Sequence, residues 1–288
     1  MIDTHAHYTH QKFNVTSDYR FLSCDGENCY VKTGRLGDVF RDMKEAGIDA
    51  VVEPAIGIDS NRAILEEYRQ NRGFIYPAVG VHPETAGETP RGRRRELAAL
   101  IASEGVVAVG ETGLDYHLPK FIKSRFAQRF WFRYQIRAAY RAGLPLILHI
   151  RDADREALAV LRRRRKKIHG GVVHCFSGDA DAAREYLALG LYIGIGGGLI
   201  EHGELSERLR EAVKIIPAER ILLETDAPYM NPGIEIGGKR LSDKVRNTSS
   251  VIRAVAAEIA RLKGTTPEEV IAASDTGAKA LFGIRIEQ

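Results

Sequence analysis

Short apolar runs punctuate the chain at 1–3, 50–53, 74–79, 106–109, 145–149, 171–174, 191–195 and 221–226. Most are continuous Val, Ile and Leu rather than alternating with polar residues, as in strands covered on both faces. The segments between them step at helical spacing. Asp59 or Ser60 is placed to cap a helix through about Arg72. After Ser124, the residues Phe126, Phe130, Tyr134, Ile136 and Leu144 fall near helical spacing, Gly143 is placed to end the helix, and Pro145 opens the next strand. Val251, Val255 and Ile259 step by four, and Thr266-Pro267-Glu268-Glu269 is a capping box with proline at the first helical position. This alternation predicts a parallel sheet. Eight strands in 288 residues predict an α/β fold, a single-domain (β/α)8 TIM barrel over residues 1–288. An open doubly wound sheet is the alternative, weakened because no G-x-G-x-x-G follows the first strand. Residues 13–36 break the rhythm and read as an irregular insertion, loop or hairpin.

Composition narrows the class. Apolar residues make up 44% and charged residues 28%, which excludes a mainly disordered chain, a fibrous repeat and a disulfide scaffold. No apolar run is long enough for a membrane helix, and the first residues carry no export signal. With three cysteines, a reducing, cytoplasmic setting is expected. The net charge of +4, from 42 Lys and Arg against 38 Asp and Glu, neither demands nor excludes a nucleic-acid partner. Four arginines at 91–95 and the run at 162–167 read first as solvated helix ends, where cations suit a helix C-terminus. A phosphate-attracting surface is the alternative.

What ends each strand changes the picture more. Strand one runs into His5-Ala6-His7, strand three into Gly80-Val81-His82-Pro83, and strand four into Gly110-Glu111-Thr112-Gly113-Leu114-Asp115. Strand five ends in His149-Ile150-Arg151-Asp152, strand six in His174-Cys175-Phe176-Ser177-Gly178, and strand eight in Glu224-Thr225-Asp226-Ala227-Pro228. In such barrels the active site lies at these C-terminal strand ends. Imidazole and carboxylate are ligands of Zn, Mn, Fe and Mg. His5 and His7 share a side of an extended strand because its period is two. His149, His174, Glu111 and Asp226 bring the set to six. Six ligands exceed what one open catalytic ion takes, so two ions sharing a carboxylate fit the count better.

These six motifs, in order and at the expected spacing, resemble those of the TatD family of metal-dependent hydrolases from residue 1 to about Ile284. The resemblance implies a barrel and a binuclear centre: His5, His7 and Asp226 on one ion, His149 and His174 on the other, Glu111 between them. It places His82 and Arg151 near a substrate phosphate. His82 otherwise reads as a structural turn before Pro83, and Arg151 as an ion pair with Asp152 or Asp154. It also implies hydrolysis of phosphodiesters, most often as a 3′-to-5′ deoxyribonuclease. Release of D-amino acids from tRNA is an alternative on the same site; a barrel that has lost activity, or an amidohydrolase acting on amides or lactones, are further ones. The expected chemistry is a water activated by two divalent ions of Zn, Mn, Mg or Fe, with Asp226 as ligand and base. Glu224 reads either as support for a ligand or as a buried ion pair. A monomer or weak oligomer is expected.

The sequence departs from the family pattern in three places. Family members carry Arg-Asn-Glu-Pro after strand eight, whereas Arg246-Asn247 is followed here by Thr248-Ser249, which puts substrate contacts there in doubt. Gly277 stands where the final helix often follows an Asn. The 13–36 segment exceeds the usual short helical lead and reads as a lid or substrate-selecting flap over the metal rim. Within it, Cys24 and Cys29 read as two inert thiols, and Cys175 as a buried small hydrophobe pointing away from the site. The glycines of 194–198 read equally as a phosphate approach or a tight turn.

Overall fold

The computed structural model describes all residues except 14–15, 26–27, 232–233, 237–238, 242–243 and 287–288. Strands β1 (Ile2–Asp3), β4 (Ala50–Pro54), β5 (Ile75–Val79), β6 (Ala108–Asp115), β7 (Leu146–Arg151), β8 (Gly171–His174), β9 (Tyr192–Ile195) and β10 (Ile221–Leu223) form one parallel eight-stranded sheet in chain order. Strands β2 (Tyr19–Asp25) and β3 (Asn28–Gly34) interrupt the series as a hairpin. The ring closes between its first and last strands: the Thr4 amide donates to Leu223 O (3.1 Å), Asp226 to His5 O (2.9 Å) and His7 to Ala227 O (2.7 Å). All eight predicted strands are present, in a TIM barrel with helices between the strands.

Alternation along the strands sorts the core and sets the site. Ile2, Ala50, Val52, Ala78, Ala108, Ile147, Val172 and Leu222 form one buried cluster with Ala278 and Phe282 of the last helix. Val51, Val79, Val109, Leu146, Leu148 and Val173 belong to a second cluster with the helices. A period of two carries the inward face from Ile147 to His149, from Val172 to His174, and from Leu222 to Glu224 and Asp226. Strand β6 requires one more device. Its register against β7 shifts between Val109, opposite Leu146, and Thr112, opposite Leu148. The extra residue of this bulge reverses the parity. Glu111, which strict alternation from Ala108 would aim at the helices, therefore shares the inward face with Gly113 and Asp115.

The helices follow their local signals. The segment Arg125–Ala142 ends at Gly143, whose φ of 70° is left-handed, as a helix-terminating glycine allows. In the last helix, Pro267–Phe282, the Thr266 hydroxyl accepts from the Glu269 amide at 3.2 Å. The helix Ile58–Gln70 starts two or three residues earlier than expected: Gly57 is its cap in place of Asp59 or Ser60, and the Ser60 hydroxyl accepts the Gly57 amide at 2.9 Å. Gly277 lies inside the last helix rather than at its start. A Cβ there would stand 2.9 Å from the Tyr192 ring, so the glycine lets the helix approach β9 closely.

The insertion is a built hairpin rather than irregular chain; its residues 14–15 and 26–27 lie outside the described set. Strand β2 pairs on its other edge with Val245–Arg246. Cys24 and Cys29 stand opposite each other across the hairpin and form a disulfide, so the expectation of two inert thiols is corrected: antiparallel register pairs i with i+5 on the two strands. The Thr248-Ser249 departure is explained by the same contact. Thr248 Oγ1 donates to Leu22 O (2.6 Å), Ser250 Oγ accepts the Cys24 amide (3.0 Å), and Ser249 Oγ donates to Asp3 Oδ2 (2.6 Å). All three are buried. They fasten the hairpin to the barrel, and its hydrogen bonds run here and to Asp42 rather than to the rim histidines. Ser250→Ala leaves the Cys24 amide without its partner and is expected to cost about 1–3 kcal/mol of stability, read as a lowered urea midpoint.

Candidate metal centre

Five histidines and two carboxylates meet at the C-terminal mouth of the barrel. Glu111 is at their centre, 2% exposed. Its Oε2 lies 3.6 Å from His5 Nε2 and 3.5 Å from His7 Nε2. Its Oε1 lies 3.0 Å from His174 Nε2, 3.5 Å from His149 Nδ1 and 3.6 Å from His82 Nε2. The carboxylate thus turns one oxygen to each of two histidine pairs. Asp226 joins the first pair, with Oδ1 3.3 Å from His7 Nε2 and 3.8 Å from His5 Nε2. Its side chain is 19% exposed, against 0% and 7% for those two histidines, so it is the carboxylate of the group that faces solvent.

The other ring nitrogens explain which way each imidazole points. His7 Nδ1 lies 3.1 Å from Pro54 O, a carbonyl that can only accept, so Nδ1 carries the proton and Nε2 a lone pair. His149 Nε2 lies 3.2 Å from Asp115 Oδ2, which leaves Nδ1 as the inward lone pair. His174 Nδ1 faces Glu224 Oε1 at 3.7 Å, which directs Nε2 inward. His82 is reversed: its Nδ1 accepts the Glu84 amide at 3.0 Å. Its Nε2 therefore carries the proton and faces Glu111 at 3.6 Å, beyond hydrogen-bond reach. His82 lies within ligating range of Glu111 and His149, but in this tautomer it offers a donor there and no lone pair.

Two nitrogen contacts result, His5 Nε2 to His7 Nε2 at 3.2 Å and His149 Nδ1 to His174 Nε2 at 3.3 Å. Each pair lies beside one oxygen of Glu111, and His7 and His149 present lone pairs to it. Such a donor set fits divalent cations. The residues His5, His7 and Asp226 fall within ligating range of one another, as do His5, Glu111 and His174.

The electrostatics couple these groups tightly. Burial raises the Glu111 carboxyl, but the surrounding imidazoles of His5, His82, His174 and His149 outweigh it and hold it well below the usual range. In return Glu111 and Glu224 raise His174 well above the ordinary imidazole value against the effect of burial, so a cation bound here displaces protons. Burial likewise works against ionised Asp226, and the hydrogen bond and charge of His7, then His174 and His5, bring it below its ordinary value. His82 is pushed down to about 3, chiefly by burial and then by His149, and stays neutral.

Sequence reasoning missed three supporting carboxylates. Asp115 orients His149; its spacing of four from Glu111 on one strand face was the available signal. Asp3 and Glu53 are fully buried and pushed up to about 7 by burial. Asp3 takes the hydroxyls of Thr225 and Ser249 (2.5 and 2.6 Å), and Glu53 Oε1 takes the amide and hydroxyl of Thr9 (2.5 and 2.6 Å). Glu224, 1% exposed, receives the Cys175 amide and faces His174. Gly194 exists to admit it: a Cβ there would come within 2.4 Å of Glu224 Oε2, a steric reason different from either expected one. Cys175 is only partly buried, has φ of 44°, and lines a small cavity with Asp226 instead of pointing away. Arg151 is exposed at the end of β7. It pairs with neither Asp152, which takes His117 at 2.8 Å, nor Asp154, which takes the Tyr186 hydroxyl at 2.8 Å. Beside the mouth, a cleft of about 840 Å³ opens among His10, Glu84, Arg91, Lys123, Phe126 and Tyr229, with Lys120 on its wall.

Known proteins resemble this chain over most or all of its length. The family described as TatD related DNase matches residues 2–283. The metal-dependent hydrolase YabD of Bacillus subtilis, whose function is uncharacterized, is 34% identical over 289 residues, covering 99% of both chains. The 3′-5′ ssDNA/RNA exonuclease TatD of Citrobacter rodentium is 36% identical over 218 residues, covering 76% of this chain and 81% of that protein. The crystal structure of YjjV, a TatD homologue of Escherichia coli, superposes with a TM-score of 0.78 at 25% identity, covering 99% of this chain and 98% of that one. Barrel, strand-end histidines and sequence agree, and the chain belongs to the TatD family of metal-dependent hydrolases.

Proposed function

We propose that this enzyme hydrolyses phosphodiester bonds of single-stranded DNA or RNA, removing nucleotides from the 3′ end, with two divalent ions at the barrel mouth. His5, His7 and Asp226 would hold one ion and His149 and His174 the other, with Glu111 between the two sets. The observation that carries this reading is the two inward nitrogen pairs flanking the two oxygens of one carboxylate. The substrate class comes from the exonuclease relative. The imidazole-rich set favours Zn, Mn or Fe over Mg. When bound, such ions polarise a phosphoryl oxygen and acidify a coordinated water.

This chain's own residues do the rest. Asp226 presents Oδ1 to His5 and His7, and its solvent-facing side accepts the proton of the attacking water. The Nε2 proton of His82 is held ready for a phosphate oxygen by the Glu84 amide behind it. Arg151 meets the same phosphate with a guanidinium that neither Asp152 nor Asp154 engages. The adjoining cleft offers Arg91 and Lys123 to the backbone and the rings of Phe126 and Tyr229 to bases.

Incubation with 5′-labelled single-stranded DNA and added Mn or Zn is expected to give 3′-shortened products, and EDTA to stop the reaction. Asp226→Asn is expected to lower kcat by about 10²–10⁴-fold while metal analysis still finds bound ion; a near-normal rate rules out Asp226 as the base. Asp115→Asn and Gly194→Ala act only on the supports of His149 and His174. Each is expected to weaken metal affinity about 10–100-fold in a calorimetric titration, and unchanged affinity removes that supporting role.

A further inference from the structure

The most concentrated charge in the chain takes no part in the metal centre. Residues 162–167 end the helix Asp154–Arg164 and fill the 3-10 turn after it. That helix runs back from the tip of β7, so the cluster sits at the opposite end of the barrel from the metal rim. The neighbouring helix Arg125–Ala142 carries Arg125, Arg129, Arg133, Arg137 and Arg141, one every four residues. Each step rises about 6 Å, so the five form a slanting stripe down the helix, and all but Arg129 are exposed. The stripe begins beside the substrate cleft, at Phe126. At its lower end, Arg137 and residues 162–167 line a second cleft of about 490 Å³ with cationic side chains alone.

Neutralisation separates this cluster from the other one. At 91–95, Arg93 is bound by Glu96 (2.7 Å) and Asp59 (3.0 Å), and Arg94 donates to Arg91 O. In the lower cleft, among the described residues, one acidic partner is present, Glu185 on Arg162. On the stripe, Glu156 takes Arg129 and also feels the charge of Arg133, while among the described residues Arg137 and Arg141 form no salt bridge. Burial and then the charges of Arg133, Arg137 and Arg163 hold the Arg164 guanidinium below its ordinary value. A helix C-terminus rewards a cation in its last turn by about 0.3–1 kcal/mol. That does not account for arginines brought to the same place by a different helix, where like charges repel. A bound polyanion relieves that repulsion.

We propose that the groove between the lower halves of these two helices is a second binding site, for the phosphodiester backbone of a single-stranded nucleic acid, and that the arginine stripe leads the strand between it and the metal rim. The rise between arginines is of the order of the repeat of an extended strand. The groove is concave and its lining holds no apolar residue, unlike a surface that dips into lipid. Exposed rings flank the path: Phe126, 63% exposed, and Tyr140, stacked on His169 with centroids 5.0 Å apart, platforms of the kind on which bases stack. The proposal rests on the nucleic-acid reading above for its ligand but not on hydrolysis.

The test is fluorescence anisotropy with a labelled oligothymidylate long enough to span the helix, in EDTA so that nothing is cleaved. The triple variant Arg137→Ala, Arg165→Ala, Lys166→Ala changes exposed side chains without acidic partners. It is expected to bind at least about tenfold more weakly at low salt, and the slope of log K against log salt to fall by about 2. With metal restored, the variant is expected to cleave a dinucleotide at the normal rate and the long strand with a raised KM. Unchanged affinity and slope overturn the proposal, as does polyglutamate competing as strongly as the oligonucleotide, which assigns the groove to acidic proteins. If no oligonucleotide is cleaved under any metal, the hydrolytic reading fails while the binding arm still decides the groove.

Discussion

Everything at the barrel mouth depends on one buried carboxylate being aimed inward. Glu111 is nearly inaccessible to water, and an isolated charge in that position costs several kcal/mol. It is tolerated because five imidazoles surround it, and it is aimed there because β6 gains a residue against β7. Remove the bulge and the carboxylate faces the hydrophobic layer under the helices, while the histidines keep lone pairs directed at one another with nothing between them. The bulge is thus part of the site, as much as the residues that touch it.

The surrounding shell follows from that arrangement. Each inward lone pair needs the far nitrogen of its ring to be protonated and held, and Pro54 O and Asp115 do this for His7 and His149, while Glu224 faces His174 Nδ1 at 3.7 Å. Glu224 can be where it is only because Gly194 has no side chain. At the strand ends, Asp152, Cys175 and Asp226 have φ of 52°, 44° and 53°, a left-handed conformation that costs non-glycine residues energy and clusters at functional sites. Each turns the chain sharply just beyond the inward-facing positions of β7, β8 and β10.

The barrel was legible because continuous apolar runs and capping residues are local signals, followed throughout except where Gly57 caps the helix Ile58–Gln70 in place of Asp59 or Ser60. The ligand candidates were legible because they end strands, and strand parity does not depend on distant contacts. What escaped was non-local. The tautomer of His82 is decided by the Glu84 amide, and a ligand and a hydrogen-bond donor look alike in sequence. Asp115 was quoted within its motif but its partner lies on the next strand. A hairpin was one of the two readings of the 13–36 segment, but its disulfide depends on register, and the replacement of Glu-Pro by Thr-Ser makes sense only once Leu22 and Cys24 are seen lying against it.

The near-balance of charge illustrates how a global sum conceals local organisation. Acidic side chains are spent where positive charge already exists: Glu111 and Asp226 among histidines, Glu96 and Asp59 on Arg93, Glu156 on Arg129. The cations left over collect on the lower face of two adjacent helices, so a chain of net charge +4 carries a strongly positive groove beside largely neutralised surroundings. In the two proposals the ends of the barrel handle phosphate by different physics. At the rim, a few geometrically fixed donors and metal ligands act on one phosphodiester at short range. In the groove, mobile side chains would act on many phosphates through screened charge, which confers no position on any single bond. An enzyme that works from a strand end gains from that division, because retention of the strand then need not compete with release of each product at the metal centre.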